Sequence, residues 1–124
     1  MPSFEVLQKS GLMKTYKIND MVGGWFVGDF SPTCYKTDSA EVSYKIHPKG
    51  EIWDLHYHEK VTEVNLIVRG EMIIQGKKLS SGDVFILNPY EIADPEFLED
   101  CEIVCVKLPG TANDKVVVKE YSRG

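Results

Sequence analysis

Long apolar runs are missing from this sequence. No stretch approaches the roughly 20 residues that a membrane helix needs, and Met1 to Gly11 lacks the charged-then-apolar pattern of a secretory leader. Cysteine is scarce. The three present, Cys34, Cys101 and Cys105, are an odd number without the dense spacing of a disulfide scaffold. Cys101 and Cys105 fall in one apparent strand, where four residues of separation put them roughly 13 Å apart, too far to bridge. The expectation is reduced, buried thiols in a cytoplasmic protein. Positive charge is also short: the net charge is −5, and Lys77-Lys78 is a pair in a turn rather than part of a basic stripe. That excludes a nucleic-acid footprint. An anionic small molecule remains possible, held by local cations. Finally, no stretch keeps an apolar i, i+3, i+4 pattern over three turns, so no clear helix is expected.

What recurs instead is short alternating runs bounded by Gly, Pro, Asn and Asp. Strands are expected at Gly24–Asp29, Ala40–His47, Ile52–His58, Thr62–Arg69, Glu71–Gln75, Asp83–Leu87 and Cys101–Leu108, with Lys115–Lys119 as an edge. Pro48-Lys49-Gly50, Arg69-Gly70-Glu71, Gln75-Gly76-Lys77 and Ser80-Ser81-Gly82-Asp83 supply the turns. Strands at this spacing predict an all-β sandwich or barrel. The 124 residues suit one domain, and 43% hydrophobic with 27% charged residues is the balance of a globular chain. A domain of this size buries enough apolar surface to fold without a structural metal.

Alternation assigns faces. Ile52, Asp54, His56 and His58 share one side of their strand, with Trp53, Leu55 and Tyr57 on the other. On the next strand Glu63, Asn65 and Ile67 oppose Val64, Leu66 and Val68. Two consecutive strands thus each carry an apolar face and a polar face rich in His, Glu and Asn. Two histidines separated by one residue on a strand place both imidazoles on the same side, their backbones roughly 6.6–6.8 Å apart. A short reversal returns Glu63 to the same spot. Two imidazoles and a carboxylate with open positions are a ligand set for non-haem iron and other divalent ions.

From Gly50 to Gly70 the spacing is G-x5-H-x-H-x4-E-x6-G, which resembles the first motif of the cupin superfamily at every fixed position. The second motif is matched in part by Gly82-Asp-Val-Phe-Ile-Leu-Asn-Pro89-Tyr-Glu-Ile-Ala-Asp94. There Glu91 stands at the usual Gly, Asp94 where a further histidine is expected, and Leu98 at the usual Asn. The resemblance implies a cupin-type double-stranded β-helix, or jelly-roll barrel, as one domain over residues 1–124. Its core barrel would span about 40–108, with an N-terminal strand segment at about 20–32. It also implies one divalent transition metal (Fe, Mn, Ni, Co or Zn) on His56, His58 and Glu63. Asp94 is then a fourth ligand, a hydrogen-bond partner of a ligand or bound water, an acid/base group, or a turn residue in an acidic run. The flanks, including Gly24-Trp-Phe-Val-Gly-Asp-Phe30 and Asn88-Pro-Tyr-Glu-Ile-Ala-Asp94, resemble short cupins encoded among surface-polysaccharide and nucleotide-sugar genes.

Asp54 and Asn65 share the inward face and are candidates for substrate contact or for core satisfaction. Lys45 either lines the barrel as a local cation or lies on an exposed edge. Tyr90, beside Pro89, is a candidate catalytic or stacking group, with packing as the alternative. The functional expectation is a metal-dependent isomerase or epimerase, or a dioxygenase, acting on a small polar, sugar-like ligand. A non-catalytic binding module, or a metal-free isomerase using His56 and His58 as acid and base, are the alternatives. Fold alone cannot choose among them. The apolar strand Gly24–Asp29 needs a cover, either its own barrel or a second copy, and a homodimer is expected.

Overall fold

A computed structural model describes residue 3 and residues 11–110 and 113–119. Ten strands follow in order: β1 (Trp25–Val27), β2 (Glu41–His47), β3 (His56–His58), β4 (Thr62–Arg69), β5 (Glu71–Ile74), β6 (Lys77–Ser80), β7 (Val84–Leu87), β8 (Glu96–Phe97), β9 (Cys101–Leu108) and β10 (Lys115–Val117). The helical content described is two single turns, Ile18–Asp20 and Val22–Gly24. The expected all-β architecture is present. Five strands form one antiparallel sheet in the order β1-β2-β9-β4-β7, while β6-β5-β8 and β10-β3 form two smaller ones.

Register across the large sheet stacks inward-facing residues in rows. Trp25 pairs with Ser43, Ser43 with Cys105, Cys105 with Asn65, and Asn65 with Phe85. One row toward the mouth, Lys107 pairs with Glu63 and Glu63 with Leu87. One row the other way, Lys45 pairs with Ile103 and Ile103 with Ile67. Period-2 alternation therefore carries β4 (Glu63, Asn65, Ile67) and β9 (Lys107, Cys105, Ile103) from polar to apolar along their inward faces, while β2 stays polar and β7 apolar. The apolar end joins a cluster of Ile67, Met72, Ile74, Leu87, Ala93, Phe97, Cys101 and Ile103, with Ile67 and Cys101 fully buried. This core closes one end of the barrel and leaves the other for polar side chains.

Gly70 shows why the motif keeps a glycine there. Its φ is +101°, and a Cβ would collide with the Asp100 carbonyl and with Cys101 on β9.

Three expectations need correction. The strand expected over Ile52–His58 begins only at His56, because residues 52–55 make no ladder, and their faces do not alternate as expected: Ile52 is exposed and Trp53 turns toward the interior. Lys77 and Lys78 are not in a turn; they begin β6, which pairs with β5 through Ile74↔Lys77 and Ile73↔Lys78. Of the three cysteines expected to be buried, Cys101 is, while Cys34 and Cys105 are only partly buried. The strand around Trp25–Val27 finds its cover within the chain by pairing with β2.

Candidate metal centre

His56 and His58 stand on β3 and Glu63 on β4, and the ligand atoms of all three lie within 4.8 Å of one another. Both histidines are buried. Each imidazole is held by its Nδ1. His56 Nδ1 lies 3.1 Å from the Asp54 carbonyl, and His58 Nδ1 lies 2.9 Å from Asp114 Oδ1. Nδ1–H donates in both cases, which turns Nε2 of each ring toward the position an ion would take, as the lone-pair atom of the neutral ring. His58 Nε2 is 3.7 Å from Glu63 Oε2. This donor set fits a divalent metal: two imidazoles oriented from behind and one carboxylate. Burial pushes the His56 imidazole below its ordinary value, and Lys115 and His58 add to that push against the Asp54 carbonyl and Glu63.

Asp114 is a residue that sequence reasoning missed. Besides His58 it accepts the backbone N–H of Lys60, and that of Val61 at 3.0 Å. Burial raises its pKa, but these three donors outweigh that and hold it down at about 2. It reaches His58 because Lys115 on β10 pairs with His58 on β3. No spacing rule connects two residues 56 positions apart.

The site opens into a cavity of about 780 Å³. Asn65, Lys45, Ser43 and Asp54 line it together with the three candidate ligands. Asn65 is buried there, as the alternation suggests, while Asp54 is exposed and Lys45 half-buried. Cys105 also lines it, its thiol 3.4 Å from Glu63 Oε1; burial pushes that thiol's pKa far up, and Glu63 pushes it further. Deeper in, His47 Nδ1 sits 2.6 Å from Glu51 Oε2 and its ring stacks on Phe97 at 4.9 Å.

Two candidates do not join the site. Ala93, not Asp94, bridges to His56, so Asp94 points the other way and accepts the backbone N–H of Gln75 at 2.7 Å in the β5–β6 turn. The reading of Asp94 as ligand or acid/base group is corrected accordingly. Tyr90 is exposed, outside the cavity lining, its ring 5.6 Å from that of Tyr57. A positive φ of 69° turns the chain there.

A solved structure of a conserved protein with a double-stranded β-helix domain from Klebsiella pneumoniae is similar over 88% of this chain and 100% of that one, with TM-score 0.62 and 16% identity. The chain has the cupin fold. The DMSP lyase DddQ from Ruegeria pomeroyi is similar over 80% of this chain and 52% of its own length, with TM-score 0.61 and 16% identity. Oxalate decarboxylase from Bacillus subtilis, whose Mn(II) centres have been studied, is similar over 66% of this chain and 25% of its own length, with TM-score 0.55 and 20% identity. The cupin unit thus spans about half of the lyase and a quarter of the decarboxylase. No family model and no curated protein matches the sequence. Within the cupin fold, the first-motif residues His56, His58 and Glu63 come together as a group that can hold a metal.

Proposed function

We propose that this cupin is a metal-dependent enzyme acting on a small polar, sugar-like molecule, by isomerisation or epimerisation next to a carbonyl. The observation that carries the reading is the convergence of three donors, two of them imidazoles fixed through Nδ1, at the wall of a substrate-sized cavity. His56, His58 and Glu63 would hold one divalent ion, from among Fe, Mn, Ni, Co and Zn, with the carboxylate shifting the balance toward Mn and Fe. Such an ion polarises a substrate carbonyl or hydroxyl as a Lewis acid. Asn65 offers hydrogen bonds to substrate hydroxyls from the cavity wall. With Asp94 and Tyr90 outside, His47 is the cavity group best placed to move a proton, because Glu51 fixes its ring. No helix among the described residues is long and apolar enough to cross a membrane; the cytoplasmic reading rests on the few, unpaired cysteines.

The same displacement of Asp94 and Tyr90 also favours a second reading, a binding module that holds its ligand without converting it. Exchange of substrate C–H for solvent deuterium, followed by NMR with reducing sugars and sugar phosphates, separates the two. The enzyme reading expects exchange that chelation abolishes and added metal restores. Stabilisation by a ligand with no exchange on any metal would favour the binding module.

We infer further that the protein pairs as a homodimer, on different grounds from the sequence expectation. The outward face of the large sheet carries Ile46, Leu66, Val68, Val84 and Ile86, each between 39% and 60% exposed. A contiguous apolar face of that kind marks an interaction surface, and two-fold self-pairing is the commonest cover.

A further inference from the structure

The cavity lining carries lysines that the metal reading does not use. For an acidic chain it gathers three lysines, Lys45, Lys107 and Lys115, beside three carboxylates, Glu51, Asp54 and Glu63. Glu51 is engaged by His47 Nδ1 and by the Trp53 indole N–H at 2.9 Å, and Glu63 belongs to the candidate ligand set. The three lysines and three carboxylates of the lining balance, so a divalent ion on the candidate ligands would leave the cavity two charges positive. Lys45 and Lys107 are half-buried and Lys115 is exposed, and cations partly withdrawn from water attract a counter-charge.

Register shows where that charge concentrates. Ser43 pairs with Cys105, and Lys45 and Lys107 are the next inward residues on either side of that pair. Trp25 pairs with Ser43 from the other strand, and both ammonium groups converge on its ring: Lys45 Nζ is 4.8 Å and Lys107 Nζ 4.9 Å from the ring centroid. Neither lysine forms an ion pair among the described residues, where the lysine ion pair is Lys78 with Glu71. Ser43 supplies an independent observation. It is 1% exposed, it lines the cavity, and its Oγ has no hydrogen-bond partner among the described residues. A buried hydroxyl left unpaired costs stability unless a ligand or water completes it.

We infer that Ser43, Lys45 and Lys107 form a subsite for an oxyanion, a carboxylate or phosphate carried by the same molecule that reaches the metal centre. Two ammonium donors and one hydroxyl donor complement an acceptor-only group, and the Trp25 ring fixes the position of both lysines. The idea rests on the proposed metal-dependent function for its substrate but not for its test. It narrows that substrate to a sugar acid or a sugar phosphate rather than a neutral sugar.

Titration of inorganic phosphate, and separately of acetate, into protein with 13Cε-labelled lysine tests the subsite, both as purified and after chelation. Saturable shifts of the Lys45 and Lys107 signals, with Lys14 and Lys49 unmoved, are expected. Chelation should weaken the binding without abolishing it, so a failed metal centre and a failed anion subsite give different results. The tighter of the two anions names the group. Replacing both lysines by Gln should lower affinity by about a hundredfold, roughly tenfold for each charge-assisted donor, while metal content stays unchanged. Replacing both by Arg should retain most of the binding, and Ser43→Ala should lose severalfold. Shifts that fail to saturate, that are shared by all lysines, or that persist in the double Gln variant would overturn the proposal.

Discussion

Asp114→Asn isolates the support behind the metal centre. In the native site one carboxylate oxygen accepts His58 Nδ1–H at 2.9 Å, while the other accepts the N–H groups of Lys60 and Val61. An amide has a single acceptor oxygen. The two backbone donors claim it, because turning the NH2 toward them would set donor against donor twice. The NH2 then faces His58, which can accept only if its proton moves to Nε2, the atom meant for the ion. The substitution therefore sets the wrong tautomer as well as removing a charge. Loss of such a partner typically costs about 10–100-fold in metal affinity, or about 1.4–2.7 kcal/mol. Competition against a chelator of known affinity measures this directly, with circular dichroism confirming the fold. Asp94→Asn serves as the matched control and should leave affinity within about twofold, since its carboxylate caps Gln75 in a distant turn. Equal losses in the two variants, or none at Asp114, would refute this account of how His58 is oriented. The low pKa of Asp114 adds a sign. Its ionised form is favoured by the fold, so its contribution to stability is present above the ordinary carboxylate value of 3.8 and is lost as pH falls through about 2.

Other consequences are equally open to measurement. Ile67→Ala, at a fully buried position in the plug that closes the barrel, should cost about 2–5 kcal/mol in urea denaturation, and a loss under about 1 kcal/mol would mean the core is packed elsewhere. In the native protein Cys101 and Cys105 should resist iodoacetamide near neutral pH, because burial first and nearby carboxylates second raise both thiols; mass spectrometry showing prompt alkylation of Cys105 would place it outside the cavity wall. Light scattering at micromolar concentration should give twice the 14.0 kDa chain mass, and Ile86→Lys, on the exposed sheet face, should shift it to one. A wild-type chain that stays monomeric when concentrated would remove the dimer.

The centre was legible wherever alternation along one strand decides position. His56 and His58 needed only a period of two, and Glu63, Asn65 and Ile67 needed the same rule on the neighbouring strand; all five face inward. The rule failed where no ladder enforces it. Trp53 and Ile52 precede the first paired residue of β3, so Trp53 turns to the cavity and Ile52 to solvent. The strand β6 was hidden because Leu79 is its single apolar residue and two lysines open it. Asp94 matched a motif position by count, but the bridge from Ala93 to His56 fixes the register one residue earlier. Asp114 and Lys107 were invisible for a different reason. Their importance comes from pairing across strands remote in sequence, β10 on β3 and β9 on β4, and no local pattern records that.

The most direct measurement is metal content by inductively coupled plasma mass spectrometry, on protein purified without added metal and again after soaking in Mn(II), Fe(II) and Zn(II). The account predicts close to one equivalent of a divalent transition metal per chain in the wild type, and its loss in His56→Ala, His58→Ala and Glu63→Gln variants that remain folded. Less than about a tenth of an equivalent in the soaked wild type, or undiminished metal in all three variants, would contradict it.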